Sequence, residues 1–322
     1  MASEAQPLVL RAAIGEGGPT RALRAGAVPT GALRLEFAEV ASMIGAYRRM
    51  VRGPDYDVCE LPIVTYLLAR SVGRPFTALP IFVRHGFFHH WLLCRADSAV
   101  RSPKDLEGRR VGVRAYTVTP PTWARGILRT EYGVALEDVT WLTDDEEHVE
   151  GYRPPPNVMA APAGAKLGQL FKDGELEVGF QLNAGLGPQD PALTRTVIAE
   201  PEAAALEWCG RTGIYPFQNV IVVKDAVLAE HPWVAAVLFD AFEQSRRAYL
   251  QRLEHDGPAN ADDAALLRRR DVVGAELLPS GLEANRRALD TIMAFAVDQK
   301  ILPGPLPVER LFPPGTLELR PA

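Results

Sequence analysis

The hydrophobic positions change period several times along the chain, and each change predicts an element. Leu8 to Ile14 alternates weakly and reads as a first strand, with Leu33 to Phe37 as a second. Gly15, Gly17, Gly18 and Pro19 between them mark a flexible turn near a strand end. Val40, Met43, Ile44, Tyr47 and Val51 then fall at helical spacing, with Arg48, Arg49 and Arg52 on the outer face. Tyr56 to Leu61 reads as a short strand and Ile63 to Ser71 as a helix. This alternation of strand and helix predicts a largely parallel sheet, whose ligand sites lie beyond the carboxyl ends of its strands.

From Phe76 to Cys94 the chain is β-branched and aromatic, an apolar strand pair into which Arg84, His85, His89 and His90 are set. Read as strand throughout, it places His85, Phe87, His89 and Trp91 on one face and Arg84, Phe88, His90 and Leu92 on the other. A capped start at Ser102 leads to a short strand from Arg110 to Val113, a turn, and a helix from about Pro120 to Tyr132 that Gly133 ends. Strands follow at Val139 to Leu142 and Leu176 to Gln181. The charged, then proline-rich run from Asp144 to Gly164 between them reads first as a surface excursion. Beyond a helix at Glu202 to Gly210, the segment Ile214 to Val223 is the return crossing into the first lobe. Helices at Pro232 to Leu253, Asp262 to Arg270 and Leu282 to Val297 buttress it or form an oligomer face.

Length changes this picture little: 322 residues, 47% hydrophobic, suit two medium cores. The expected division is residues 1–97 with 217–322 as one lobe and 98–216 as the other. A net charge of −5 with scattered basic residues excludes nucleic acid and anionic membranes as expected partners. Cys59, Cys94 and Cys209 follow no ligand or disulfide spacing and read as buried thiols. No apolar run reaches the roughly 20 residues of a membrane span, and the N-terminus does not read as a secretory signal, so a cytoplasmic protein is expected. No nucleotide loop or serine elbow occurs. The set His85, His89, His90 and Glu60 has no recognised metal-ligand spacing, so neither cofactor nor metal is expected.

Several segments taken in order, D-V-x-E-L followed by Y-L, T-A-L-P-I-F, S-P-K-D-L-E-G-R-R-V-G-V, W-x-R-G-I-L-x-x-E-Y-G-V and G-I-Y-P, resemble the 4,5-dihydroxyphthalate decarboxylase family between about Leu33 and Arg247. The resemblance implies an α/β, two-lobed periplasmic-binding-protein-like (type 2) fold with a ligand cleft between lobes. It also implies decarboxylation of a small aromatic or cyclic carboxylic acid, the ring carbon being protonated there. A solute-binding protein of the ABC-transporter type without catalysis, and a dehydratase of a cyclic acid, are the alternatives on the same scaffold.

Loss of carbon dioxide requires a proton donor near the carbon and fixed cations or dipoles for the carboxylate. His89 matches the family's histidine in this stretch and is the candidate donor or orienter, with His85 beside it; otherwise His89 is a half-buried histidine on a backbone carbonyl. Arg125, near the predicted helix start, is the candidate carboxylate clamp, or else a surface arginine pairing with Glu131 or Asp138. Arg84, Tyr116, Thr117, Thr119, Trp123, Asn183 and Asn219 are further candidate substrate contacts, Thr119 being equally an N-cap. Glu60 and Tyr66 complete the set, Tyr66 being otherwise core. His85 and Phe88 stand where the family segment carries arginines, and Pro216-Phe217-Gln218-Asn219 replaces a segment ending in histidine. The first change points to a less anionic substrate, or to anion binding elsewhere; the second replaces a possible acid by a neutral amide and points to a different acid or a different chemistry. A homo-oligomer is possible on this reading.

Overall fold

In the computed structural model, which describes residues 6–274 and 276–321, the strands in chain order are β1 (Leu8–Ala13), β2 (Leu33–Phe37), β3 (Val58–Pro62), β4 (Phe76–His85), β5 (Leu92–Arg95), β6 (Arg110–Gly112), β7 (Thr140–Thr143), β8 (Val158–Ala160), β9 (Val178–Phe180), β10 (Thr194–Thr196) and β11 (Phe217–Lys224). They form two sheets in two compact units. The first unit is Met1–His85, Phe217–Arg287 and Leu306–Ala322; the second is Gly86–Pro216 and Ala288–Pro305.

The first sheet has the order β2-β1-β3-β11-β4. β1 pairs in parallel with β2 and β3, while β11 runs antiparallel to both β3 and β4, so β1 to β4 all point the same way. Strands that run the same way need crossovers: the short helix Arg21–Arg24 lies between β1 and β2, Met43–Arg52 between β2 and β3, and Ile63–Ser71 between β3 and β4. Every residue of β3 is buried, as expected of a strand covered on both faces. Leu10, Val58, Leu79, Ile221 and Val223 pack against Leu238, Phe239 and Phe242 of the helix Val234–Asp256. Burial of such side chains is worth roughly 1.5–3 kcal/mol each and holds that long helix on the sheet.

The second sheet has the order β10-β5-β9-β6-β7-β8. β6, β7, β8 and β9 are parallel, and β5 runs antiparallel to β9 and β10. The helix Thr119–Tyr132 follows β6 and ends at Gly133, whose φ of 65° closes the last turn. Among the described residues no helix is long and apolar enough to cross a membrane.

Three expectations need correction. The stretch after Phe76 does not continue as strand: Arg84 takes a left-handed φ of 62°, β4 stops at His85, and His89–Trp91 is a turn of 3-10 helix. His85 and His89 therefore share no strand face. The first unit ends at residue 85 rather than 97 because β5 bonds to β9 and β10, and residues 288–305 belong to the second unit. Finally, the run from Asp144 to Gly164 does lie at the surface for most of its length, but it is not a structureless loop. It contains β8, Glu147 accepts the backbone N–H of Tyr116 (2.6 Å) and of Thr117 (3.1 Å), and His148 is buried.

Candidate active site

The carboxyl ends of β1, β3 and β4 meet at one edge of the first sheet, where an open α/β sheet presents its ligand groups. A cavity of about 430 Å³ lies there. The loop Gly15–Arg21 forms part of its wall, Glu60, Arg84 and His85 project from the strand ends, and Tyr249, Asn260, Asp262, Asp263 and Arg269 come from the later helices. Its size suits a small organic ligand.

Glu60 is the fixed point. Its side chain is 1% exposed and accepts hydrogen bonds from the Gly15 N–H at 2.8 Å, from Arg84 Nε and Nη2, and from Asn219 Nδ2. Asn219 Nδ2 also donates to Tyr47 Oη at 3.2 Å, so two strands, the loop after β1 and a helix anchor one carboxylate. A buried charge persists only when paired and hydrogen-bonded in this way. Burial, with Glu60 adding to it, raises the Tyr47 pKa and keeps its hydroxyl protonated.

Arg84 is held by that carboxylate at the cavity's edge, with its side chain 40% exposed and its Nη1 unpartnered among the described residues. A left-handed arginine is strained, and strain of this kind collects at ligand-binding positions. The fit is close: a Cβ on Gly15 would lie 2.3 Å from Arg84 Nη2 and 3.0 Å from Glu60 Oε2.

His85 is buried at the end of β4. Its Nε2 lies 2.9 Å from Asn285 Oδ1. The Asn285 Nδ2 donates to the carbonyls of Pro279 (3.0 Å) and Gly281 (2.9 Å), so Oδ1 must accept and the His85 hydrogen sits on Nε2. Burial pulls the imidazole pKa down to about 4, despite the Asn285 bond and with Arg246 and Arg269 adding to the depression. His85 is neutral at pH 7.

The remaining candidates fall in the second unit or in the core. Arg125 is the seventh residue of its helix and has no exposed surface. Its Nε donates to Gln299 Oε1 at 2.7 Å and its Nη2 to the Tyr116 carbonyl at 2.6 Å, while the Tyr116 ring lies 3.8 Å beneath the guanidinium. Burial lowers its pKa, partly offset by Tyr116, Tyr152 and Glu147. It thus does not pair with Glu131 or Asp138; two of its nitrogens brace the turn before the helix, and Nη1 is buried without a hydrogen-bond partner among the described residues. Tyr116 Oη donates to the Gln299 carbonyl at 3.3 Å, and Thr117 Oγ1 bonds Glu147. Thr119 is the first helical residue, fully buried, with Val118 as the N-cap. Trp123 stacks on Phe88 with ring centroids 6.1 Å apart. His89 is buried edge-on against Trp208 at 5.4 Å, its Nδ1 unpartnered among the described residues and its pKa lowered to about 4 by burial and by His90. Asn183 is exposed, its carbonyl accepting from Arg114 Nε at 2.8 Å. Tyr66 is core: its hydroxyl donates to the Leu311 carbonyl and accepts from the Ala78 N–H at 3.1 Å.

The structure therefore joins Glu60, Arg84, His85 and Asn219, and sequence reasoning missed Gly15, Tyr47 and Asn285 around them and Glu147 and Gln299 around Arg125. The glycine cluster after β1 was the one available signal. Among the described residues no three His, Cys, Asp or Glu side chains gather as a metal site.

No known family model matches the chain. A 4,5-dihydroxyphthalate decarboxylase from Comamonas testosteroni is 29% identical over 289 residues, spanning 84% of this chain and 86% of that protein. Another from Pseudomonas putida is 30% identical over 175 residues, spanning 50% of this chain and 66% of that protein. The chain is thus similar in sequence to proteins of this name, which are enzymes. Among solved structures, the periplasmic aliphatic sulphonate binding protein SsuA from Escherichia coli matches with a TM-score of 0.56 at 10% identity, covering 98% of this chain and 100% of that one. The desulfurization enzyme DSZB matches with a TM-score of 0.56 at 16% identity, covering 96% and 97%. At such identities these matches show the fold alone, and it is the periplasmic-binding-protein fold that the resemblance implied.

Proposed function

We propose that this chain, a relative of the 4,5-dihydroxyphthalate decarboxylases, is a carboxy-lyase acting on a small aromatic or cyclic carboxylic acid in the cavity of its first unit. The observation that carries the site assignment is Arg84: a guanidinium strained into the left-handed region, pinned by a buried carboxylate, with one nitrogen unpartnered at a ligand-sized cavity. Arg84 Nη1 holds the substrate carboxylate, and Glu60 with Asn219 and the Gly15 N–H keeps the guanidinium in register. The bond from ring carbon to carboxylate breaks, its electron pair stays on the carbon, and carbon dioxide leaves. That carbon takes one proton, and Arg84 lies close enough to stabilise the transient charge.

His85, which also lines the cavity, is the candidate for the proton donor. It is neutral in the resting protein, and an anion bound beside it favours the protonated imidazole, which makes it a donor only once substrate is present. His89 and Arg125 act through packing of the second unit. The depressed histidines also favour a second reading, a binding protein that retains the acid unchanged.

Mass spectrometry of acids incubated with the protein tests both. We expect a product lighter by carbon dioxide and a loss of turnover of at least about a hundredfold in Arg84→Gln. Retention of an unaltered acid by the folded protein supports binding alone, loss of water instead identifies a dehydratase, and wild-type turnover in Arg84→Gln rejects the site.

A further inference from the structure

The charges around the cavity restrict its ligand further, and this step rests on the site assigned above. Three guanidiniums line it, from Arg21, Arg84 and Arg269, against four carboxylates, from Glu16, Glu60, Asp262 and Asp263. Arg84 is the deepest anchored of the cations, and Glu60 already neutralises it. Burial alone would lower the Arg84 pKa, yet it is raised because Glu60 and, with smaller effects, Tyr47 and Asp262 favour its charge. Asp262 therefore lies within electrostatic reach of the same guanidinium. Arg21 is exposed, and Arg269 donates to the His85 carbonyl at 3.2 Å.

The wall formed by the later helices is acidic and accepts hydrogen bonds. Asp263 is fixed by Tyr249 Oη, Arg252 Nη2 and the Ala259 N–H at 2.7, 2.7 and 2.9 Å. These bonds outweigh burial and hold its pKa at about 2, so it is charged throughout the working range. Asp262 beside it is exposed at the cavity. Tyr249 spends its one hydroxyl hydrogen on Asp263 and has only a lone pair to offer a ligand. A second carboxylate placed against Asp262 and Asp263 would meet like charge, the Arg269 guanidinium on the same side being turned to the His85 carbonyl; a hydroxyl or amino group would find acceptors.

We infer that the acid taken by this cavity carries one carboxylate, directed at Arg84, together with a hydroxyl or amino hydrogen-bond donor directed at the Asp262 and Asp263 wall. It is not a dicarboxylate such as the one in the relatives' name. Only one cation is built into the cavity by a buried counter-charge, and like charges brought together at a binding site cost affinity steeply.

The test is calorimetric binding of 3,4-dihydroxybenzoate, benzoate and 4,5-dihydroxyphthalate to the full chain and to Asp262→Asn, with the product mass recorded for each acid. We expect 3,4-dihydroxybenzoate to bind about tenfold or more tighter than either other acid. Asp262→Asn should narrow its margin over the phthalate severalfold. Phthalate binding as tightly or more tightly, a margin unmoved by Asp262→Asn, or no binding by any of the three overturns the inference. Decarboxylation of the phthalate overturns it while leaving the carboxy-lyase reading intact. A bound but unaltered dihydroxybenzoate supports the inference and counts against the carboxy-lyase reading.

Discussion

Two arginines, one in each unit, show how differently a fold can bury the same cation. Arg84 is matched to a carboxylate that has almost no exposure, yet its own side chain remains 40% exposed at a cavity. Arg125 has no exposure and no carboxylate on its guanidinium; Nε and Nη2 donate to neutral oxygens, the Tyr116 ring covers one face, and Nη1 is buried with no hydrogen-bond partner among the described residues. An arginine that must meet a ligand needs a fixed counter-charge behind it and open space ahead. One that braces a turn is held by neutral acceptors on two of its nitrogens and by a ring against its face. Sequence context does not distinguish these cases, because both arginines stand two residues after an aromatic one, Phe82 and Trp123.

The comparison breaks most readily at Arg125. Arg125→Ala leaves Gln299 and the Tyr116 carbonyl buried without a donor, and should lower stability by about 3 kcal/mol in denaturant unfolding. A stability unchanged within error would return Arg125 to the list of ligand groups.

Histidine burial predicts an effect of similar size with a definite sign. The folded pKa of both His85 and His89 is about 4, below the ordinary 6.5. Between those values the unfolded chain binds protons that the folded chain does not. Stability is therefore complete above pH 6.5 and falls as pH drops toward 4, by roughly 3 kcal/mol for each histidine. Asn285→Asp puts a carboxylate on the His85 Nε2–H and raises that pKa, so the variant should lose less stability than wild type between pH 7 and 5. Equal losses would show that Asn285 does not govern His85.

The smallest effect on stability, with a selective effect on function, is expected for Gly15→Ala. The new Cβ meets the Arg84 guanidinium at 2.3 Å and Glu60 Oε2 at 3.0 Å, so the guanidinium, at the end of a side chain 40% exposed, has to shift outward while staying paired. Unfolding should change by less than about 1 kcal/mol, whereas acid binding should weaken about tenfold through the displaced guanidinium. A parallel fall in both would mean that the loop's structure, rather than Arg84's position, depends on this glycine.

Much of the architecture was legible because local pattern determines it. Leu33–Phe37 and Ile63–Ser71 form as read, and Gly133 ends its helix where the glycine stands. The strand after Phe76 was overextended because apolar and aromatic residues continue past it, and nothing local in sequence announces a left-handed arginine. The site was only partly legible for a different reason. Glu60, Arg84, His85 and Asn219 were named singly, but Asn285 and the Tyr249 to Arg269 wall reach the first three from about 160 to 225 residues away in the chain, a convergence that only the closed sheet creates.

The division of the chain also bears on how such a molecule can be taken apart. The backbone passes from one unit to the other four times, after residues 85, 216, 287 and 305. Residues 86–216 look like an excisable module in the linear gene, but on their own they would lack Gln299, which satisfies Arg125, and Phe295, whose ring meets Trp123 at 5.8 Å. Exchange of this unit between relatives therefore has to carry a second, distant segment with it. A single-crossover chimera would inherit an orphaned guanidinium and a hole beside a tryptophan, so shuffled libraries of this fold should be rich in insoluble products unless residues 288–305 travel with 86–216.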